Sequence, residues 1–202
     1  MSNHDEFARW FRQATGNEPY PFQIRFACEP ELPELVDVPT GLGKTAMAVL
    51  GWLWRRRFAE ETVRKATPRR LVYCLPMRVL VEQTKGETSK WIAEIQKRYP
   101  TEMVQPLKVH VLMGGEDEED WDIYPECDQI IIGTQDMLLS RALNRGYAAT
   151  RSRWPVKFGL LNTDCLWVFD EIQLMGAGLS TTTQLDAFRR VLPAKDSDNA
   201  KN

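Results

Sequence analysis

Apolar positions along the chain follow two alternating patterns. Short, largely apolar runs occur at 35–38, 71–75, 109–113, 130–132 and 166–169. Each reads as a strand. Between them apolar residues recur three and four apart. Phe7, Trp10, Phe11 and Ala14 mark a helix over 7–15 that is closed by Gly16 and Asn17, after which Pro19 and Pro21 predict a turn. Residues 46–54 are almost wholly apolar and read as a buried helix, and 79–99 reads as a longer helix in which Trp91 and Ile95 share a face. Alternating strands and helices imply an α/β domain with a mostly parallel sheet and helices on both faces.

Composition narrows this picture. A chain of 202 residues with 43% hydrophobic residues has room for one sizeable core, and 1–192 is expected to form a single domain. Residues 193–202 lack large apolar side chains and read as a polar tail with no packed role. Twenty-six basic against 28 acidic residues give a net charge of −2, which gives no sign of a general binder of nucleic acid or anionic membrane; any such contact must be local. Cys28, Cys74, Cys127 and Cys165 are scattered without a Cys-x-x-Cys pair and read as buried free thiols. The polar N-terminus, and the lack of any apolar stretch near the roughly 20 residues of a spanning helix, predict a soluble cytoplasmic protein without a membrane segment. The acidic run 116–120 reads as a solvated loop.

The chemistry concentrates in two places. The run 36–45 joins a strand-like segment to Thr40, Gly41, Leu42, Gly43, Lys44 and Thr45, and the apolar helix follows at once. Gly41 and Gly43 let backbone amides approach phosphate oxygens, Lys44 supplies a point charge for the terminal phosphates, and Thr45 offers a hydroxyl to Mg²⁺. The helix adds the positive end of its dipole. The general pattern has glycine where this chain has Val38. The second place is Asp170-Glu171-Ile172-Gln173, at the carboxyl end of the strand-like run 166–169. An aspartate there can hold Mg²⁺ and the adjacent glutamate can deprotonate a water that attacks the γ-phosphate. Together the two places point to hydrolysis of a nucleoside triphosphate.

In chain order, these residues resemble superfamily 2 helicases. Tyr20-Pro21-Phe22-Gln23 resembles the upstream glutamine motif, 39–45 motif I, 75–83 motif Ia, Gly114-Gly115 the following glycine pair, Gly133-Thr134-Gln135-Asp136 motif Ib, and 170–173 motif II. The resemblance implies a RecA-like P-loop NTPase fold that takes adenosine triphosphate (ATP) and Mg²⁺. In it Gln23 selects adenine, Lys44 and Thr45 hold phosphates and metal, Asp170 orients the metal, Glu171 activates water, and Gln173 couples the nucleotide to a nucleic-acid face. Pro76, Arg78, Gly114, Thr134 and Gln135 would lie on that face, where small polar groups and backbone amides contact phosphates without a basic surface.

A closer resemblance is to the helicase part of the CRISPR-associated effector helicase-nuclease of type I systems, subtype G or U. It is carried by 36–45, by 133–143 with Gly146-Tyr147, by Trp154-Pro155 and by 170–175, and spans about residues 20 to 190. It implies recruitment to a guide-RNA surveillance complex and translocation on single-stranded DNA. The family's Ser-Ala-Thr motif is not matched by Ser180-Thr181-Thr182-Thr183. A second RecA-like domain, which carries the arginine finger, is therefore expected to be missing from this chain, so that it binds ATP but turns it over poorly. No nuclease site is expected either, because His4 and His110 are the only histidines.

The remaining features read more plainly. Trp52 and Trp54 read as packing residues, and Arg55, Arg56 and Arg57 as a solvated helix end that complements the helix dipole. Arg141, Arg145, Arg151, Arg153 and Lys157 follow motif Ib and form a candidate basic strip toward DNA. The alternative from another class is a non-catalytic half-helicase that docks a protein or nucleic-acid partner.

Overall fold

Arg70–Leu75 forms β1, one of the two inner strands of the sheet. In this computed structural model, which describes residues 2–105, 107–114, 121–146 and 150–191, β1 pairs in parallel with β3 (Gln129–Thr134) on one side and β4 (Cys165–Phe169) on the other. β2 (Lys108–Leu112) pairs in parallel with β3, so the order among the described residues is β2-β3-β1-β4. Gly115, the acidic run 116–120, Tyr147 and the tail 193–202 lie outside the described residues.

Side chains alternate across this sheet and build a core on each face. Leu71, Tyr73, Leu75, Ile130 and Ile132 face one core with residues of α1 (Asn3–Thr15), α2 (Pro21–Cys28), α3 (Lys44–Leu53) and α5 (Arg78–Arg98). Val72, Cys74, Leu112 and Ile131 face the other with α6 (Gln135–Ala142), α7 (Trp154–Asn162) and α8 (Ala177–Val191). A short α4 (Glu61–Ala66) precedes β1. The result is a RecA-like α/β domain. Among the described residues no helix is long and apolar enough to cross a membrane.

Several expectations are corrected. The run 35–38 has no regular secondary structure and joins no strand, and Leu35 is 72% exposed. Val36 and Val38 instead line a cavity of about 560 Å³ with Phe26, Met47, Leu166 and Val168, facing the outer edge of β4. Apolar content without a hydrogen-bonded neighbour does not make a strand. Pro21 starts a helix rather than a turn, because proline's fixed φ and missing N–H suit the first helical position. Of the four free thiols expected to be buried, only Cys74 is; Cys28, Cys127 and Cys165 are half-buried.

The basic residues also behave differently from a solvated surface. A π-helical turn, Trp54–Phe58, continues α3 and folds Arg55 and Arg57 into buried positions. Arg55 donates to the carbonyl oxygens of Glu29 and Pro30 beyond α2. Arg56 and Arg57 converge on Asp128, at 2.7 and 3.0 Å. Arg141 and Lys157 of the proposed strip are fully buried, and Arg153 is paired with Asp122. Arg141 shares the inner face of α6 with Met137 and Leu138, since helical periodicity turns it toward the sheet; burial pulls its proton affinity down.

Candidate functional site

The glycine loop carries the first half of the site. Gly41 and Gly43 take φ of 87° and 81°, a region costly for any residue with a Cβ. The first helical bond of α3 is Met47 N–H to the Gly43 carbonyl, at 2.9 Å. The amides of Lys44, Thr45 and Ala46 precede it and are the orphan donors that helix N-termini present to anions. Thr40 and Gly41 are exposed, and Leu42 is half-buried.

Gln23, buried at the start of α2, braces this loop. Its Oε1 accepts the Tyr20 N–H at 2.8 Å and its Nε2 donates to the Gly43 carbonyl at 2.9 Å. A Cβ on Gly43 would lie 2.7 Å from that Nε2. The amide of Gln23 keeps one N–H and one lone pair beyond these two bonds. Beside it the exposed Tyr20 ring stacks on Phe22, centroids 5.8 Å apart.

The second half comes from the end of β4. Asp170 N–H donates to the Cys74 carbonyl at 3.1 Å, which extends the β1–β4 ladder by one bond and fixes the aspartate's backbone. Its Oδ1 accepts the Glu171 N–H at 2.9 Å and its Oδ2 accepts the Tyr73 hydroxyl at 2.8 Å. Glu171 sits at φ 54°, a left-handed conformation that costs a non-glycine residue on the order of 1–3 kcal/mol and turns the chain sharply off the strand. Lys44 Nζ lies 3.6 Å from Glu171 Oε1 and 3.3 Å from the Val38 carbonyl. Gln173, exposed, donates to Glu171 Oε2.

Sequence reasoning did not single out Tyr73. It is buried among Leu71 and Leu75 on the face toward α3, and its hydroxyl lies 3.4 Å from Thr45 Oγ1 as well as against Asp170. Burial first, then the charge of Asp170, push its proton affinity well above the ordinary phenol value, so it remains a donor. The available signal was one hydroxyl in an otherwise apolar run.

This donor set fits its expected ligands. A hydroxyl and a carboxylate sharing one cleft suit a hard cation that prefers oxygen. Orphan amides, two glycines and a lysine suit phosphates. Lys44, Thr45, Asp170, Glu171 and Gln173 thus come together from two distant stretches of chain.

The candidate nucleic-acid residues share the same sheet edge. Pro76 follows β1, Gly114 lies just beyond β2, Thr134 ends β3, Arg78 begins α5 and Gln135 begins α6. Leu75 pairs with Thr134, and Leu112 with Gly133, so the three strand ends are in register. Arg78 donates to the Gly114 carbonyl. Thr134 is buried, whereas Arg78 is exposed.

A family model described as DEAD/DEAH box helicase matches residues 30–198, a span that holds both halves of the cleft. No curated protein matches the chain.

Proposed function

The chain belongs to the DEAD/DEAH box helicases, a family of ATP-dependent helicases, and from that premise we propose that it is the ATP-binding first RecA-like domain of a superfamily 2 DNA helicase. The observation that carries this reading is the meeting of Lys44 and Thr45 with Asp170 and Glu171 in one cleft.

In this function the amides at the start of α3 bind the phosphates and Lys44 draws charge from the oxygens of the transferred group. Thr45 and Asp170 would hold Mg²⁺, which when bound neutralises phosphate charge. Glu171 Oε accepts the proton of the attacking water. Gln173, through its bond to Glu171, passes the state of that carboxylate toward the outer face. Gln23 reads adenine with the N–H and lone pair it has left.

The finer reading is a CRISPR-associated helicase-nuclease that acts on single-stranded DNA beside a guide-RNA surveillance complex. It is supported by the resemblance carried by residues 133–143 and 170–175. A second RecA-like domain would complete the site with an arginine, which adds about 10³ to 10⁵ in rate in related hydrolases. The test is ATP binding and turnover by this chain with Mg²⁺, with single-stranded DNA, single-stranded RNA or neither, beside Glu171→Gln. Binding with slow turnover is expected. DNA-stimulated turnover abolished by Glu171→Gln would mean that self-association supplies the second lobe. Absence of nucleotide binding would instead favour a docking module without catalysis.

A further inference from the structure

We propose that Tyr73 is the positioning residue of the Mg²⁺ site: its hydroxyl, rising from an inner strand of the sheet, sets the orientation of both side chains that would hold the ion. The proposal rests on the nucleotide reading above. It starts from one placement. Tyr73 is 1% exposed at the middle of β1, paired with Ile132 on one side and Val168 on the other, so its backbone has no freedom. Its ring lies on the α3 face of the sheet, and its hydroxyl emerges where the first turn of α3 and the end of β4 converge.

Proton accounting then assigns the bonds. The ionised carboxylate of Asp170 has only acceptors, so the single Tyr73 proton goes to Oδ2 at 2.8 Å. The Tyr73 oxygen keeps lone pairs, and the Thr45 hydroxyl, 3.4 Å away, can turn its own proton toward one of them. That orientation leaves the lone pairs of Thr45 Oγ1 free for a cation. Asp170 is meanwhile held at both oxygens, since Oδ1 takes the Glu171 N–H at 2.9 Å. A carboxylate clamped in this way does not have to be ordered when the ion arrives. Groups that orient metal ligands from behind commonly affect metal affinity by about 10- to 100-fold.

A purely structural reading also exists: a buried phenol needs a partner, and Asp170 is near. The two readings differ in what the hydroxyl does to metal dependence. Tyr73→Phe keeps the ring and its packing and removes one oxygen. The experiment titrates a fluorescent ATP analogue against the 202-residue chain and the variant, across Mg²⁺ concentrations and in a chelator, with circular dichroism and thermal denaturation alongside. The expected result is equal affinity in chelator, with half-saturating Mg²⁺ raised about 10-fold or more in Tyr73→Phe. Equal half-saturating Mg²⁺ in both chains overturns the proposal even if the melting temperature falls. A wild-type chain that binds the analogue with no Mg²⁺ dependence overturns it as well. A wild-type chain that binds no analogue sinks the nucleotide reading itself and takes this proposal with it.

Discussion

Lys44 Nζ and Glu171 Oε1 face each other at 3.6 Å across the cleft, so the cation assigned to phosphate and the carboxylate assigned to water partly neutralise one another. Removing the carboxylate charge frees the lysine and reduces repulsion of phosphates. Glu171→Gln is therefore predicted to bind ATP at least as tightly as wild type while losing turnover by about 100-fold or more. Calorimetric binding beside a phosphate-release assay checks both. Lys44→Ala should lose tight nucleotide binding with its circular dichroism unchanged; equal affinity would sink the assignment of the loop.

The Gln23–Gly43 bond makes a second prediction. Gly43→Ala places a Cβ at φ 81° and 2.7 Å from Gln23 Nε2. The backbone alone should cost about 1–2 kcal/mol, and the crowded amide should move off the Gly43 carbonyl. Reduced thermal stability and weakened ATP binding are expected. Gln23→Ala added to Gly43→Ala should recover part of the stability and none of the backbone cost. A strictly additive double variant would show that the crowding is unimportant.

Asp128 joins two arginines at the far edge of the domain. It is buried, and both its oxygens are engaged, by Arg56 and Arg57. Asp128→Ala leaves two guanidinium groups without their counter-charge in a poorly solvated place. A loss of about 3 kcal/mol, read from the urea midpoint, is expected. A change below about 1 kcal/mol would mean that solvent reaches the pair more freely than its burial implies.

Three thiols are among the groups that lower stability at alkaline pH, beside the buried Tyr73 hydroxyl. Burial raises Cys74 to about 12 and Cys28 and Cys165 to about 11, from an ordinary value near 9. The native state thus keeps protons that the unfolded chain gives up. Their contribution is complete below about pH 9 and is lost as pH rises toward 11–12. Melting temperature should fall across that window, and less steeply in Cys74→Ala. An equal slope in the two proteins would assign the loss to other groups.

The sequence made much of the scaffold legible because β1, β2, β3 and β4 are dense apolar runs that cannot be stable in water. The observed bounds, such as Arg70–Leu75 against the expected 71–75, differ only at the ends. What stayed hidden depends on partners far along the chain. The segment 35–38 has strand composition, yet composition carries no information about a hydrogen-bonding neighbour. Arg56 and Arg57 read as solvated because Asp128 lies some seventy residues away in sequence. Arg141 read as a surface cation until α6 packed it inward. The glycine loop and Asp170-Glu171 were legible as local signatures; Tyr73 was not, since its role exists only where three elements meet.

β4 is the end strand of the sheet, its outer edge lying on the side away from β1. Its backbone donors and acceptors on that side have no ladder partner among the described residues, and exposed Leu35, Ile172, Leu174, Leu179 and Phe188 add greasy side chains to the molecule's surface. Such an edge templates any extended chain that drifts against it. Concentrated samples are predicted to self-associate through this edge, which light scattering across a concentration series checks; a constant mass would mean that the segment 35–38, which faces the edge, shields it.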